Sequence, residues 1–112
     1  MRIVSGIQPT GNLHLGNYLG AIRNWVAMQD EVANGGGESL YFLADLHALS
    51  QPHVPADLAA NCREMVAALL ACGIDPAKSI LFNQAQVPQH AELQWLLTGT
   101  ARMGWLNRMT QW

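Results

Sequence analysis

The chain has 112 residues, which bounds it to one domain or part of one. Half the residues are hydrophobic and only 12% are charged, a balance that suits a buried parallel sheet or a piece of a larger body. The net charge of −2 and the scattering of Arg2, Arg23, Arg63, Lys78, Arg102 and Arg108 exclude this segment as a main docking surface for nucleic acid, and no apolar run approaches the ~20 residues needed to span a bilayer.

The start, Met1-Arg2-Ile3-Val4, goes straight into a strand pattern with no signal-peptide layout. Arg2 to Gly6 reads as a buried strand. A polar turn follows. Leu15, Tyr18, Leu19, Ile22, Trp25, Val26 and Val32 then recur at helical spacing, with Arg23, Asn24, Asp30 and Glu31 opposite, so one helix is expected to about Val32. Gly35-Gly36-Gly37 ends it. Leu40 to Ala44 is a continuous apolar run, expected of a strand covered on both faces, and Asp45 and His47 come at its carboxyl end. Pro55 sits near the first turn of a second helix, whose stripe is Leu58, Cys62, Met65, Val66, Leu69 and Leu70, with Gly73 as its cap and Asp75-Pro76 as the next turn. Ser79 to Asn83 is a third strand. Pro88 opens a third helix through about Leu97, which Gly99 interrupts. A last helical stretch carries Trp105, Met109 and Trp112 at i, i+4 and i+7.

The order β-α-β-α-β-α-α predicts an α/β fold, a parallel sheet with right-handed helical crossovers. Ligands of such sheets gather at the carboxyl ends of the strands, where Gln8, Asp45 and Asn83 fall. The segment Gln8-Pro9-Thr10-Gly11-Asn12-Leu13-His14-Leu15-Gly16-Asn17 joins the first strand to the first helix, the place where α/β proteins bind phosphates and nucleotides. Gly16 has no side chain to keep a flat ligand away, and His14 and Asn17 share a helix face. Taken alone, the same residues are also ordinary turn chemistry. There is neither a Walker lysine nor G-x-G-x-x-G, so the common phosphate motifs are absent.

His14-Leu15-Gly16-Asn17 resembles the "HIGH" element of class I aminoacyl-tRNA synthetases. The strings Ser5 to Gly11 and Gly16-Asn17-Tyr18-Leu19-Gly20-Ala21 are similar to the tryptophanyl-tRNA synthetase version. Asp45-Leu46-His47-Ala48, Gly73-Ile74-Asp75-Pro76 and Arg108-Met109-Thr110-Gln111 continue the likeness in order along nearly the whole chain. The resemblance implies a Rossmann-like sheet, with residues 1–112 the N-terminal part of the nucleotide-binding catalytic domain. It implies activation of L-tryptophan by ATP, with Mg2+ accompanying the ATP, and transfer to tRNA(Trp) held by regions mostly outside this chain. It also implies a homodimer and a cytoplasmic location.

Carried over residue by residue, the resemblance makes His14 and Asn17 the catalytic side chains and Gly16 the adenosine floor. Gln8, Pro9 and Thr10 line the ATP side, together with Asn17. Val4, Gly6, Gln8, Asp45 and His47 border the tryptophan pocket. Asn17 stands where the family element often has histidine, and Val4 where an aromatic residue is often found. The lysine loop that holds pyrophosphate in the family does not occur here, since Lys78 is the only lysine. The chain is therefore expected to carry one half of a site and to be inactive alone. A non-catalytic nucleotide-binding module or truncated pseudo-synthetase is the alternative.

Asp45-x-His47 at a strand end also suits metal phosphoesterases, but His53 and His90 supply no matching ligand pattern, and no protein-held metal is expected. Cys62 and Cys72 are ten apart in one expected helix, about 15 Å of rise, too far to pair, and two free thiols suit a reducing compartment. Trp25, Trp95, Trp105 and Trp112 fall on apolar stripes and are expected in core packing or a subunit interface. His53 and His90, beside prolines, are expected to be structural or on the surface.

Overall fold

A computed structural model of the chain describes residues 1–11 and 13–109. Three strands, β1 (Arg2–Ile7), β2 (Glu38–Leu43) and β3 (Ser79–Asn83), form one parallel sheet in the order β1-β2-β3. A helical run of α1 (Leu15–Asn17), a π turn (Tyr18–Ile22) and α2 (Arg23–Asn34) connects β1 to β2. After β2 come a short α3 (Asp45–Ala48) and then α4 (Pro55–Ala71), which leads back to β3. A 3-10 turn (Gln84–Gln86), α5 (Gln89–Thr98) and α6 (Met103–Leu106) follow. This is the expected Rossmann-like α/β order.

Strand parity decides the core. Ile7, Tyr41, Leu43 and Leu81 point to the face where α2 and α4 lie, and they pack with Ile22, Trp25, Met65, Leu69 and Ile74. Trp25 stacks on Tyr41 with ring centroids 4.8 Å apart, and the Tyr41 hydroxyl donates to the Trp25 carbonyl at 3.0 Å. The other face carries Val4, Leu40 and Ile80 in one registered row and Gly6, Phe42 and Phe82 in the next. Val4 and Ile80 are exposed there. Coverage of β2 on both faces is thus not found among the described residues. The sheet grows in one direction, and two successive crossovers of the same hand put both helices on the same side.

Three further expectations, on the first helix, the last helical stretch and the end of the second helix, are corrected. The first helix is interrupted by the π turn, which swings Leu15, Tyr18 and Leu19 off the buried stripe. The stretch with Trp105 is only the four residues of α6, so Met109 lies beyond its end and shares no helix face with Trp105, while Thr110, Gln111 and Trp112 lie outside the described residues. Of the tryptophans described, only Trp25 is in the core; Trp95 is 78% exposed on α5, which buries no residue at all, and Trp105 lies under the Arg102 guanidinium at 5.2 Å. Cys72 is the residue capping α4, not part of it. Gly73, at φ +111°, takes the position after that cap, and its N–H reaches Leu70 while that of Ile74 reaches Leu69, a double closure that needs the left-handed backbone glycine allows. No helix among the described residues is long and apolar enough to cross a membrane.

One polar side chain sits inside this apolar layer. Gln29 is buried on α2, and its Nε2 donates to the Gly73 carbonyl at 2.7 Å. Its Oε1 accepts from the Asp75 N–H and the Ser79 hydroxyl, both at 3.0 Å, and Ser79 is in turn bonded to Ser39 on β2. Gln29→Ala takes a partner from the Gly73 carbonyl, the Asp75 N–H and the Ser79 hydroxyl and opens a cavity, and should cost about 3 kcal/mol. Urea unfolding of the variant measures it; a loss below about 1 kcal/mol, the scale of an ordinary surface change, would show that the network is dispensable.

Candidate active site

The first strand ends at Ile7, and its carbonyl accepts from the Ala44 N–H at 2.8 Å, so the carboxyl ends of β1 and β2 are held side by side. Gln8 emerges half-buried, Pro9 is fully buried, and Thr10 and Gly11 are exposed. Asn12 lies outside the described residues. His14 then starts α1 as its N-cap. Its Nδ1 accepts from the N–H groups of Gly16 at 3.1 Å and Asn17 at 3.3 Å, while Asn17 Oδ1 accepts from the His14 N–H at 3.2 Å. This is a capping box in which histidine and asparagine take the places usually held by a hydroxyl and a carboxylate.

The cap has a chemical consequence. Nδ1 is an acceptor, so the ring proton sits on Nε2. Asn17 spends its oxygen on the cap and keeps its Nδ2 amide. Two outward donors remain, His14 Nε2–H and Asn17 Nδ2–H2, and neither has a partner among the described residues. The sequence places both side chains on one face; the bonds that fix the tautomer were not legible there, because histidine is not a usual N-cap. Gly16 is exposed, and a Cβ there would stand 3.0 Å from the His14 ring. Glycine at this position keeps the imidazole in place as well as leaving the surface open.

The residues assigned to an amino-acid pocket divide. Gly6 lies on the open face under the Phe42 ring, which a Cβ would meet at 2.5 Å. Val4 is on the same face, two residues further from the edge. His47 is exposed on α3, with its backbone N–H donating to Gln84 Oε1 at 3.3 Å. Asp45 is turned to the helical side. Its Oδ1 accepts from the Leu46 N–H at 3.0 Å and the Ala85 N–H at 2.9 Å. With Cys62, Arg63 and Asn83 it lines a cavity of about 550 Å³ between α4 and the strand ends, a space that Val4, Gly6 and His47 do not border. Sequence reasoning passed over Gln84 and Phe42, whose roles depend on contacts across the sheet. His90 stacks on Phe82 at 6.3 Å, a structural use. Among the described residues, no group of three His, Cys, Asp or Glu side chains is placed to hold a metal.

An exposed turn with two donors unpartnered among the described residues, at the carboxyl edge of a parallel sheet, marks an α/β protein of the class whose ligands gather at that edge. A family profile described as class I tRNA synthetases (W and Y) matches residues 1–112, and the chain belongs to that family. It is 53% identical over 109 residues to a tryptophan–tRNA ligase of Agrobacterium fabrum, covering 97% of this chain and 29% of that protein. It is 54% identical over 112 residues to the mitochondrial tryptophan–tRNA ligase of Schizosaccharomyces pombe, covering 99% and 31%. The fold matches a tryptophanyl-tRNA synthetase of Campylobacter jejuni, solved with ADP and tryptophan, with a TM-score of 0.86 and 38% identity over 96% of this chain and 32% of that one. The chain thus spans about a third of the length of these relatives.

Burial raises the Cys62 thiol above its ordinary range; the Asp45 carboxylate raises it further and Arg63 opposes both. The thiolate fraction at pH 8 should therefore be lower than in an unstructured peptide. Iodoacetamide alkylation of Cys62 should be slower there and reach its midpoint at higher pH. Asp45→Asn removes a raising charge and should bring that midpoint down, whereas Arg63→Gln should push it up. A profile unmoved by either substitution would show that the cavity does not couple these groups.

Proposed function

We propose that this chain is the N-terminal part of the catalytic domain of a tryptophan–tRNA ligase and supplies the side of the site that holds the ATP phosphates. The observation that carries the reading is the capping box, which leaves His14 Nε2–H and Asn17 Nδ2 as fixed donors at the sheet edge. Family membership and a relative solved with ADP and tryptophan support it. In the full-length protein, a carboxylate oxygen of L-tryptophan attacks the α-phosphorus of ATP. The bond to the bridging oxygen breaks, pyrophosphate leaves with its electron pair, and tryptophanyl-adenylate remains. A ribose hydroxyl of tRNA(Trp) then attacks the activated carbonyl carbon, and AMP departs.

In this reading His14 and Asn17 donate to the α-phosphoryl oxygens as charge builds on them, and donors held in place before the reaction need no reorganisation. Gly16 and Thr10 leave the turn open to the nucleotide, and Gln8 and the buried Pro9 shape its floor. His47, Gly6 and Val4 face tryptophan from the β1–β2 edge. Mg2+ travels with the phosphates of ATP. The full-length protein is cytoplasmic, and it is a homodimer, a reading the exposed Leu93, Trp95, Leu96 and Leu97 of α5 support as side chains costly to leave in water.

The test is amino-acid-dependent ATP–pyrophosphate exchange by the full-length protein. Exchange should require tryptophan, with tyrosine ineffective; exchange driven equally by tyrosine, or none with tryptophan, would reject the reading. His14→Ala and Asn17→Ala should each lower kcat by about 10²-fold, about 2.7 kcal/mol, with a smaller change in ATP affinity. Loss of the cap should also cost about 1 kcal/mol of stability, so rates are compared well below the melting temperature. Equal losses in binding and rate would mean that the donors hold only the ground state. Residues 1–112 alone should show no exchange.

A further inference from the structure

The π turn is the least ordinary piece of backbone in the chain, and it lies directly between the capping box and the core. From Ile22 onward the buried side chains follow α spacing through Trp25, Gln29 and Val32. Continuing that spacing backward would bury Leu19, Tyr18 and Leu15. The structure instead leaves Leu15 70% and Leu19 44% exposed, and the half-buried residues are Ala21 and Asn17, one position earlier than Ile22 and Tyr18. The phase slips by one residue, the excess that an i→i+5 turn absorbs. Arg23 N–H accordingly reaches the Tyr18 carbonyl. The Asn24 side chain donates to the Gly20 carbonyl at 3.4 Å, and a Cβ at Gly20 would meet nothing within 4 Å.

Two anchors fix the ends of this segment. Upstream, the β1 edge and Pro9 hold the entry to His14. Downstream, Trp25 against Tyr41 and the Gln29 network fix the rotation of α2. A regular α-helix of the same sequence satisfies one anchor only, because the residue the π turn absorbs would then turn the rest by ~100° and move it by ~1.5 Å. The geometry points to the π turn as the positioning element of the site: by absorbing one residue it keeps His14 Nε2–H, Gly16 and Asn17 Nδ2 turned toward the nucleotide, and Asn24 is the positioning residue that bonds its carbonyl. This rests on the ATP-binding reading above.

The experiment uses the full-length protein. Wild-type protein without tryptophan-dependent exchange would fail the functional reading itself, before any variant is compared. With wild-type exchange present, deletion of Gly20 should restore continuous α geometry. That deletion takes out the residue the π turn absorbs, so both anchors stay in phase. The melting temperature should stay level or rise, and exchange should stay within a few-fold of wild type. Insertion of Ala after Gly20 adds a residue not yet absorbed and should lower exchange by about 10²-fold, since a displacement of ~1 Å is enough for such a loss. A loss of about 10²-fold in a folded deletion variant, or exchange near the wild-type rate in a folded insertion variant, would overturn the inference. If these variants do not fold, Asn24→Ala and Asn24→Ser decide. Asn24→Ala should lower kcat several-fold at unchanged melting temperature, and Asn24→Ser, whose hydroxyl can bond the same carbonyl four residues back, should restore it. Wild-type kcat in Asn24→Ala would overturn the inference equally.

Discussion

The amide of Gln29 settles more of this structure than any other group. An unpaired amide in an apolar layer is costly, and Gln29 avoids that cost by meeting a carbonyl, an N–H and a hydroxyl at once. Those partners lie on the turn after α4 and on β3, so the bond set joins the first crossover to the second. It permits only one rotation of α2 about its axis. That rotation lays Trp25 flat on Tyr41 and sends the register mismatch upstream, where the π turn takes it up. The orientation of the His14 imidazole is thus the far end of a chain of constraints that begins at a buried side chain on the next part of the helical run.

Sequence patterns revealed the periodic parts of the fold and missed the parts decided by pairing. Ser79 to Asn83 came out as a strand with its observed bounds, because a short apolar run between a turn and a polar residue has one economical use. The π turn was not legible: Leu15, Tyr18 and Leu19 fit the helical stripe better than the register the chain adopts, and the competing demand comes from residues far away in sequence. The same limit hid the open face of the sheet. Leu40 to Ala44 is apolar at every position, which describes a strand with apolar neighbours on both sides, yet the face of Leu40 and Phe42 is only partly covered among the described residues: His90 of α5 stacks on Phe82, while Val4 and Ile80 stay exposed.

The candidate site shows a similar division. Gly16, His14 and Asn17 were legible as a group because one turn of helix brings them together whatever the rest of the molecule does. The residues further along were legible only as neighbours of a strand end. Which way each side chain turns there is set by bonds between loops, and those have no sequence period.

Asp45 and His47 make the point concretely. Two residues apart on α3, they have opposite fates. The Asp45 carboxylate accepts two backbone N–H groups, one from the start of its own helix and one from Ala85 beyond β3. A carboxylate so engaged loses charge-assisted bonds if it turns to a ligand. It ties the ends of β2 and β3 together, and the bond from His47 N–H to Gln84 makes a second tie across the same gap. The His47 ring, exposed at that edge, is left without a protein partner among the described residues. Of the two, His47 is therefore the one whose side chain keeps its bonding capacity at the strand ends. Asp45 supplies the rigidity that makes the position of His47 definite, and in the cavity behind it its charge adds to burial in raising the thiol of Cys62.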